Sequence, residues 1–279
     1  MGCAQPQATR GDGAMATVLD EIVAAKREEV AEAKQRLDRK ALDDRVASAP
    51  PPRDFFAAIS KPGGINLIAE FKRKSPSAGE ILTGPLKGAT VEEIVAAYQL
   101  AGAAAISVLT DATWFGGSLD DLAAAHAVAT VPILRKEFVI DPLQVHEARA
   151  AGADAVLLIA ECLDDCLLRS LHAEILALNM TPLVELHSAE HLPRVLEAGA
   201  TVIGINNRDL HSMTTRLDHV LELRDRVPDS CTLVAESGIR TRDDVLRLEA
   251  AGIDAMLVGE SLLKSSDPSA AAAALLGRE

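Results

Sequence analysis

The chain has 279 residues, of which 48% are hydrophobic and 3% aromatic, and its formal net charge is −13. This length fits one large α/β domain with a substantial core, and the acidic balance argues against nucleic acid or an anionic membrane as a main partner. A small anionic ligand remains compatible with that balance, because the charge at a site can oppose the charge of the whole protein.

Residues 1–14 are small and polar and lack the apolar segment of a signal peptide, so we predict a disordered extension. No apolar run is long enough to span a bilayer. The four cysteines are scattered rather than arranged as a secreted disulfide framework. We therefore expect a cytoplasmic protein. Cys162 and Cys166 are four residues apart, but no second pair of ligands lies nearby, and we predict no metal site.

The first structured element is predicted to be an amphipathic helix over residues 17–37. Thr17 can cap it, and the acidic Asp20 and Glu21 suit the positive end of its dipole. Three prolines at 50–52 end this region, and a short further helix is expected around the apolar residues Phe55, Phe56 and Ile59. Together these form an N-terminal helical segment of about 17–59, which we assign to one domain spanning 15–279.

Beyond this segment, short apolar strands alternate with helical stretches. Glycines at positions 102, 152, 199 and 252 each close a helix, where a positive φ is needed. Eight alternating βα units predict a closed (β/α)₈ TIM barrel. A doubly wound open sheet is the alternative, but it would favour a G-x-G-x-x-G turn, which is missing after the first strand. The predicted strands are 65–71, 104–110, 132–137, 154–160, 181–186, 201–206, 231–236 and 254–259.

The first predicted strand ends in an unusual concentration of charge. Residues 67–69 indicate a strand buried on both faces, and Glu70 and Lys72, two positions apart, point to the same side of it. Ser75 and Pro76 then break the strand into a loop. An ordinary salt bridge at a strand end would also explain this pair, if it stood alone.

Polar residues end six of the eight predicted strands, and the carboxyl ends of barrel strands converge on one mouth. Polar residues at six strand ends are not expected to occur by chance, so we predict that this mouth is a functional site. Two lysines and at least two carboxylates would face one cavity, which suits a substrate with a carbonyl, hydroxyls and more than one anionic group. A lysine can donate a proton there if burial or a neighbouring cation lowers its pKa. These polar residues are Glu70, Lys72, Lys136, Glu185, Asn206, Arg208, Glu236, Ser237, Glu260 and Ser261.

The turns after the last two strands predict a phosphate site. Ser237-Gly238-Ile239 follows the seventh strand and Gly259-Glu260-Ser261 follows the eighth. Small residues let backbone N–H groups approach an anion, and the start of a short helix adds its dipole. Two ordinary tight turns are the alternative.

Several segments in this order resemble indole-3-glycerol-phosphate synthase. The resemblance covers residue 17 to the end, including the N-terminal helical segment. The matching segments are Ile68-Ala69-Glu70-Phe71-Lys72-Arg73-Lys74-Ser75-Pro76-Ser77, Trp114-Phe115-Gly116-Gly117-Ser118, Leu134-Arg135-Lys136-Glu137-Phe138, Leu183-Val184-Glu185, Gly204-Ile205-Asn206-Asn207-Arg208-Asp209-Leu210 and Ala235-Glu236-Ser237-Gly238-Ile239.

The resemblance implies an enzyme of tryptophan biosynthesis that acts on a phosphorylated small molecule without metal or organic cofactor. That family closes the ring of 1-(2-carboxyphenylamino)-1-deoxyribulose 5-phosphate, releases CO₂ and water, and forms indole-3-glycerol phosphate. It implies no nucleic-acid or membrane partner. Association with other enzymes of the tryptophan pathway is a further idea that no sequence feature tests.

The resemblance also implies roles for individual residues. Lys136 is the general acid for ring closure, and Glu185 is the general base of the later steps. Lys72 holds the anthranilate carboxylate, and how acid work is divided between it and Lys136 stays open. Glu70 and Asn206 orient the sugar hydroxyls and the lysines.

The remaining implied contacts divide between the two ends of the substrate. Glu236 and Ser237 border the phosphate, which Gly238, Gly259, Glu260 and Ser261 cradle. Some relatives carry a small polar residue at position 260, and Glu260 is tolerable there if its carboxylate turns away and the contact is through N–H. The residues expected around the aromatic ring are Pro76, Phe115, Leu134, Phe138, Leu157, Arg208 and Leu210, and Ser75 is assigned to substrate binding with them.

Other interpretations of the sequence are less favoured. His187 and His191 complete an H-x-x-E-H pattern, but His187 directly follows a strand and Pro193 interrupts any continuous helix. Trp114 and Phe115 could form a protein-binding patch rather than a loop that closes on substrate. The alternative functions are another phosphosugar-binding barrel isomerase and a catalytically silent barrel scaffold.

Overall fold

A computed structural model describes residues 17–209 and 214–278 of the chain. Eight parallel strands close into a barrel in which β1 pairs with both β2 and β8. The TIM barrel prediction is thereby confirmed, and each predicted strand is found within one residue at either end. The strands are β1 (Asn66–Phe71), β2 (Ala105–Leu109), β3 (Ile133–Lys136), β4 (Ala155–Ile159), β5 (Thr181–Leu186), β6 (Val202–Asn206), β7 (Thr232–Glu236) and β8 (Ala255–Val258).

Three helices precede the barrel and ten α-helices follow within the described residues. A two-stranded ribbon, Lys74–Ser75 with Gly79–Glu80, lies in the loop after β1. The helices are α1 (Val18–Arg36), α2 (Arg39–Ser48), α3 (Phe55–Ile59), α4 (Val91–Ala101), α5 (Ala112–Phe115), α6 (Leu119–Val128), α7 (Pro142–Ala150), α8 (Asp165–Ala177), α9 (Leu192–Glu197), α10 (Asp218–Leu223), α11 (Arg242–Ala250), α12 (Glu260–Leu263) and α13 (Pro268–Leu275).

The N-terminal helices match the sequence prediction except for α2. Thr17 caps α1 in a capping box: the Asp20 N–H donates to its hydroxyl at 3.2 Å, and its own N–H donates to the Asp20 carboxylate at 3.0 Å. Helix α2 was not predicted, because Leu42 is its one buried residue and its apolar periodicity is weak. The predicted extension, residues 1–14, lies outside the described residues.

The four glycines predicted to close helices all adopt the left-handed conformation. Their φ angles are 89° at Gly102, 90° at Gly152, 87° at Gly199 and 72° at Gly252. A side chain is strained in this region of φ and ψ, so glycine ends each helix without cost and turns the chain into the next strand.

The inside of the barrel and the N-terminal helices share one hydrophobic cluster. Leu19 and Ile22 of α1 pack with inward-facing strand residues such as Leu157. Helix α3 lies at the opposite end, where Ser60 hydrogen-bonds to Thr232 at the start of β7. Helix α1 therefore lies at the mouth of the barrel, and α3 lies against its base.

A buried cluster of charges ties α1 to two loops at the mouth. The Lys26 ammonium is 2.8 Å from Asp111, 3.1 Å from Glu137 and 2.6 Å from Glu29. Asp111 caps α5, and Glu137 accepts a hydrogen bond from the Phe138 N–H at 2.9 Å. Burial alone would lower the pKa of Lys26, but the carboxylates outweigh burial and raise it, so the ammonium stays charged.

We predict that Lys26→Met lowers the free energy of unfolding by about 3 to 5 kcal/mol, because Asp111 loses its buried cation and Glu137 keeps only Arg135, at 3.7 Å. Chemical denaturation monitored by circular dichroism measures this. Lys34→Met is the matched control on the same helix: Lys34 is half exposed and pairs with Asp141 at 2.5 Å, and such a pair contributes at most about 1 kcal/mol. Equal losses in the two variants would contradict the prediction.

Candidate active site

A cavity of about 490 Å³ opens at the carboxyl ends of the strands. It contains charged, apolar and glycine-rich regions in separate places. The lysines and carboxylates of the strand ends occupy its floor, apolar side chains form one wall, and the turns after β7 and β8 form the other. Of the predicted site residues, those that line it are Glu70, Lys72, Pro76, Phe115, Lys136, Phe138, Leu157, Glu185, Asn206, Arg208, Ser237, Gly238, Gly259, Glu260 and Ser261.

Lys136, the last residue of β3, is at the centre of a cluster of carboxylates from three other strands. Its ammonium nitrogen is 2.5 Å from Glu236, 3.4 Å from Glu185 and 3.8 Å from Glu70. Side chains from β1, β3, β5 and β7 can meet here because alternate strands of a barrel direct residues of the same layer inward, and this layer lies at the carboxyl ends of the strands.

These carboxylates change the expected titration of Lys136. Burial alone would lower its pKa, but Glu236, Glu185 and Glu70 outweigh burial and raise it. The expectation that burial or a neighbouring cation lowers the pKa of a lysine acid is therefore wrong for Lys136 in the unliganded site. The surrounding carboxylates therefore favour the charged ammonium form of Lys136.

The carboxylate of Glu236 has a raised pKa in this cluster. Burial raises its pKa, the neighbouring Glu185 raises it further, and the adjacent Lys136 only partly opposes them. Three carboxylates share two ammonium groups here, so one negative charge is left in excess and a proton is readily held.

Glu70 and Lys72 form an ion pair at the end of β1, with 2.5 Å between Oε1 and Nζ. Burial would raise the pKa of Glu70, but Lys72 and Lys136 outweigh it and hold the pKa below its usual value. Glu70 is therefore an anion that connects the two lysines. The predicted common direction of Glu70 and Lys72 is confirmed, and the pair faces the cavity.

Asn206 and Arg208 continue the network from β6. The Asn206 amide donates to Glu185 at 2.9 Å, and its Oδ1 accepts from the Arg208 N–H at 3.0 Å. The Arg208 guanidinium donates to Ser77 at 2.8 Å and contacts Glu260 at 3.4 Å. Arg208 therefore joins the loops after β1, β6 and β8, rather than lying only against an aromatic ring as predicted.

The turns after β7 and β8 have the backbone shape of an anion site. Ser237 and Gly238 have φ angles of 67° and 82°, and backbone N–H groups in such a turn can form a concave site for an anion. Helix α12 starts at Glu260, beside them. The Ser261 hydroxyl donates to the Ile239 carbonyl at 3.0 Å, which fixes the two turns to each other.

Glu260 lines this region although its side chain carries a negative charge. Its carboxylate is 2.7 Å from Lys264 and 3.4 Å from Arg208. These two cations lower its pKa, although burial opposes them. Because both cations neutralise the carboxylate, Glu260 does not present an unpaired charge to an approaching anion.

The apolar wall was only partly predicted from the sequence. The rings of Phe115 and Phe138 lie 6.2 Å apart, and Trp114 packs partly buried against the same cluster. Val18, Leu19 and Ile22 of α1 also line the cavity. The signal for them is the amphipathic character of the first helix, which by itself does not connect that helix to the site.

Three predicted ligand contacts do not line the cavity. Ser75 accepts a hydrogen bond from the Ala78 N–H at 3.1 Å, so it shapes the loop after β1. Leu134 is fully buried beneath Phe138 and Leu157 in the inner cluster. Glu236 directly precedes the turn after β7, but its side chain is fully buried, with its carboxylate 2.5 Å from the Lys136 ammonium. The predicted contact through Leu210 lies outside the described residues.

Within residues 17–209 and 214–278, no group of three or more His, Cys, Asp and Glu side chains could hold a metal ion. The two histidines of the H-x-x-E-H pattern have other contacts: His187 Nδ1 is 2.7 Å from the Asn206 carbonyl, and His191 is 3.9 Å from Glu161. In the same part of the chain, no helix has the length and apolar character needed to cross a bilayer.

Solved structures of other proteins share this fold at low sequence identity. The structure of a 3-hexulose-6-phosphate synthase has a TM-score of 0.60 and 17% identity, covering 77% of this chain and 99% of that one. Thiamine phosphate pyrophosphorylase from Pyrococcus furiosus has a TM-score of 0.57 and 16% identity, covering 80% and 96%. These similarities support the barrel fold and nothing more specific.

Curated relatives are far more similar. The profile of the family described as indole-3-glycerol phosphate synthase matches residues 19–275. The protein of that name from Mycobacterium ulcerans is 45% identical over 94% of both chains. The one from Saccharopolyspora erythraea is 44% identical over 93% of this chain and 95% of its own. The family profile spans α1, the Lys136 cluster and the turns after β7 and β8, and the chain therefore belongs to the indole-3-glycerol phosphate synthase family.

Proposed function

We propose that the cavity converts 1-(2-carboxyphenylamino)-1-deoxyribulose 5-phosphate into indole-3-glycerol phosphate, CO₂ and water. The observation that carries this proposal is the placement of Lys136 between carboxylates, at the boundary of an apolar wall and an anion-binding wall. The aromatic ring fits against Phe115 and Phe138, and the phosphate fits the turns after β7 and β8. The substrate carbonyl then lies over the floor, within reach of the lysines.

Ring closure needs an acid at the carbonyl oxygen. The ring carbon that bears the carboxylate attacks the carbonyl carbon, the carbon–oxygen π electrons move to oxygen, and Lys136 gives that oxygen a proton. The alkoxide that develops is far more basic than the carbonyl, so it can take a proton from an ammonium whose pKa the carboxylates have raised. Glu236, Glu185 and Glu70 stabilise the charged lysine before transfer.

Decarboxylation and dehydration then restore aromaticity. The bond to the carboxylate breaks, CO₂ leaves, and its electron pair returns to the ring. The new hydroxyl leaves as water with a proton from a lysine, while Glu185 removes a proton from the neighbouring carbon that bears nitrogen. Asn206 holds Glu185 through the 2.9 Å hydrogen bond. Lys72 binds the departing carboxylate and is the second acid available on the floor.

An isomerase and a silent scaffold explain less of the arrangement. An isomerase acting on a sugar phosphate alone would not need the apolar wall built by Phe115, Phe138 and helix α1. A scaffold would not need charged groups buried at a cost in stability. Release of CO₂ from the carboxyphenylamino substrate, together with indole fluorescence, tests the proposal directly. A folded protein that releases no CO₂ would overturn it.

We predict that Lys136→Met lowers kcat by about 10² to 10⁴-fold, because it removes the general acid. Lys136→Arg is the matched variant: it keeps the positive charge among the carboxylates but does not release a proton at neutral pH. Both variants should be slow in the fluorescence assay while circular dichroism shows a native fold. Near-native kcat in Lys136→Arg would show that charge alone, and not proton transfer, is required.

For Glu185→Gln we expect a larger effect on kcat than on KM, because the shape is kept and the base is lost. The amide can still hydrogen-bond to Asn206, so substrate binding should change little. A steady-state analysis gives both constants. If KM rises while kcat stays native, Glu185 is a binding residue instead of a base.

The phosphate position is tested with inorganic phosphate as a competitive inhibitor. Gly259→Val should raise the phosphate Ki strongly, because it places a branched side chain at the start of α12. Ser261→Ala should leave Ki within about twofold, since the backbone N–H that would bind the anion remains. A native phosphate Ki in folded Gly259→Val would place the phosphate elsewhere.

Ki is the decisive constant for Gly259→Val because the structure adds a second effect to that variant. A Cβ at position 259 would lie 2.5 Å from Glu70 Oε1, so kcat is expected to fall as well. The phosphate Ki reports binding of the anion and does not depend on the value of kcat.

A further inference from the structure

Gly204 lies in the middle of β6, where a glycine weakens a strand unless something requires it. It pairs with Glu185 on β5 and with Val234 on β7. It is not among the glycines with positive φ, so backbone conformation does not explain its presence. The remaining reason is the space that a side chain would occupy.

That space is taken by one carboxylate oxygen of Glu236. A Cβ built at position 204 would overlap Glu236 Oε1, whereas the nearest other residue, Glu185, would be at an ordinary contact distance of 3.5 Å. Oε1 is buried and has no hydrogen-bond partner among the described residues. The other oxygen, Oε2, is 2.5 Å from the Lys136 ammonium.

We propose that Gly204 is a positioning residue of the active site: its missing side chain forms the niche in which Glu236 sits, and Glu236 in turn holds Lys136. This inference rests on the proposed function, because Lys136 is its general acid. Glu236 does not line the cavity, so it is also a positioning residue and acts on the reaction through Lys136.

The geometry separates this role from ordinary packing. A methyl group at position 204 would meet no backbone closer than normal contact, so the barrel itself can accept it. Only the end of one side chain has to move. Once Glu236 leaves the niche, Lys136 keeps Glu185 at 3.4 Å and Glu70 at 3.8 Å as its partners, both farther away than the one it loses.

A second glycine in the cluster makes space for a carboxylate in the same way. Gly259 follows β8 and has a negative φ, and a Cβ there would lie 2.5 Å from Glu70 Oε1 and 2.9 Å from Glu70 Cβ. Thus two of the three carboxylates around Lys136 lie against an inward-facing glycine. Glycine at both positions therefore leaves space for the carboxylates of Glu236 and Glu70.

The test is Gly204→Ala in two backgrounds, the native chain and Glu236→Ala. In the native background kcat should fall by about 10- to 100-fold with KM changed less than about threefold, because the acid is misplaced while the walls are intact. In the Glu236→Ala background the carboxylate that the added methyl would overlap is absent. It should change neither kcat nor the melting temperature by more than a small amount there.

Thermal melting is measured on all four proteins, so the contact is tested even where turnover is too slow to measure. Gly204→Ala should lower the melting temperature in the native background and leave it unchanged or raised beside Glu236→Ala. Equal effects in both backgrounds, or native kcat in folded Gly204→Ala, would overturn the inference. If the native protein itself releases no CO₂, the proposed function fails, and the melting temperatures still decide whether Gly204 makes room for Glu236.

Discussion

The structure depends on one partly buried ammonium group, that of Lys136, which carboxylates from three other strands surround. A charge buried in a protein is costly unless it is paired with good geometry, so the barrel must hold these strand ends in a fixed register. The closed order of strands supplies that register, since β1, β5 and β7 reach the cluster from different sides of one ring. The pairing brings two lysines and three carboxylates together at the floor of one cavity.

The two walls of the cavity come from different parts of the chain. The glycine-rich wall belongs to the barrel, because it consists of the turns that follow β7 and β8. The apolar wall is shared with α1, which precedes the barrel in sequence, and the Lys26 cluster attaches that helix to the loops after β2 and β3. Helix α1 is thus part of the candidate site and not an appendage to the barrel.

Sequence reasoning identified the fold and most of the candidate site, because both depend on local patterns. Apolar strands and closing glycines give the barrel, and polar residues at strand ends give the floor. The features that sequence reasoning missed depend on contacts between residues that are far apart in the sequence. Glu236 was placed beside the phosphate from its neighbours in sequence, but its side chain turns inward under Lys136. Helix α2 was missed because one buried leucine leaves too little periodicity.

The titration of Lys136 was also beyond sequence reasoning. A lysine at the end of a buried strand suggests a lowered pKa, since burial disfavours charge. The opposite direction follows only when Glu236, Glu185 and Glu70 are seen within 3.8 Å of it. The direction of the pKa shift of Lys136 depends on which strands lie opposite one another and on the length of each side chain.

The position of Trp114 has a consequence for how this protein can be observed. It is the one tryptophan of the chain, and it lies half-buried on α5, beside Phe115 and the apolar wall. Indole emission responds to the polarity of its surroundings. Tryptophan fluorescence from this protein therefore reports on a single place, which lies beside the cavity. The chain therefore carries its own optical label at the aromatic end of the cavity, with no background from a second tryptophan to subtract.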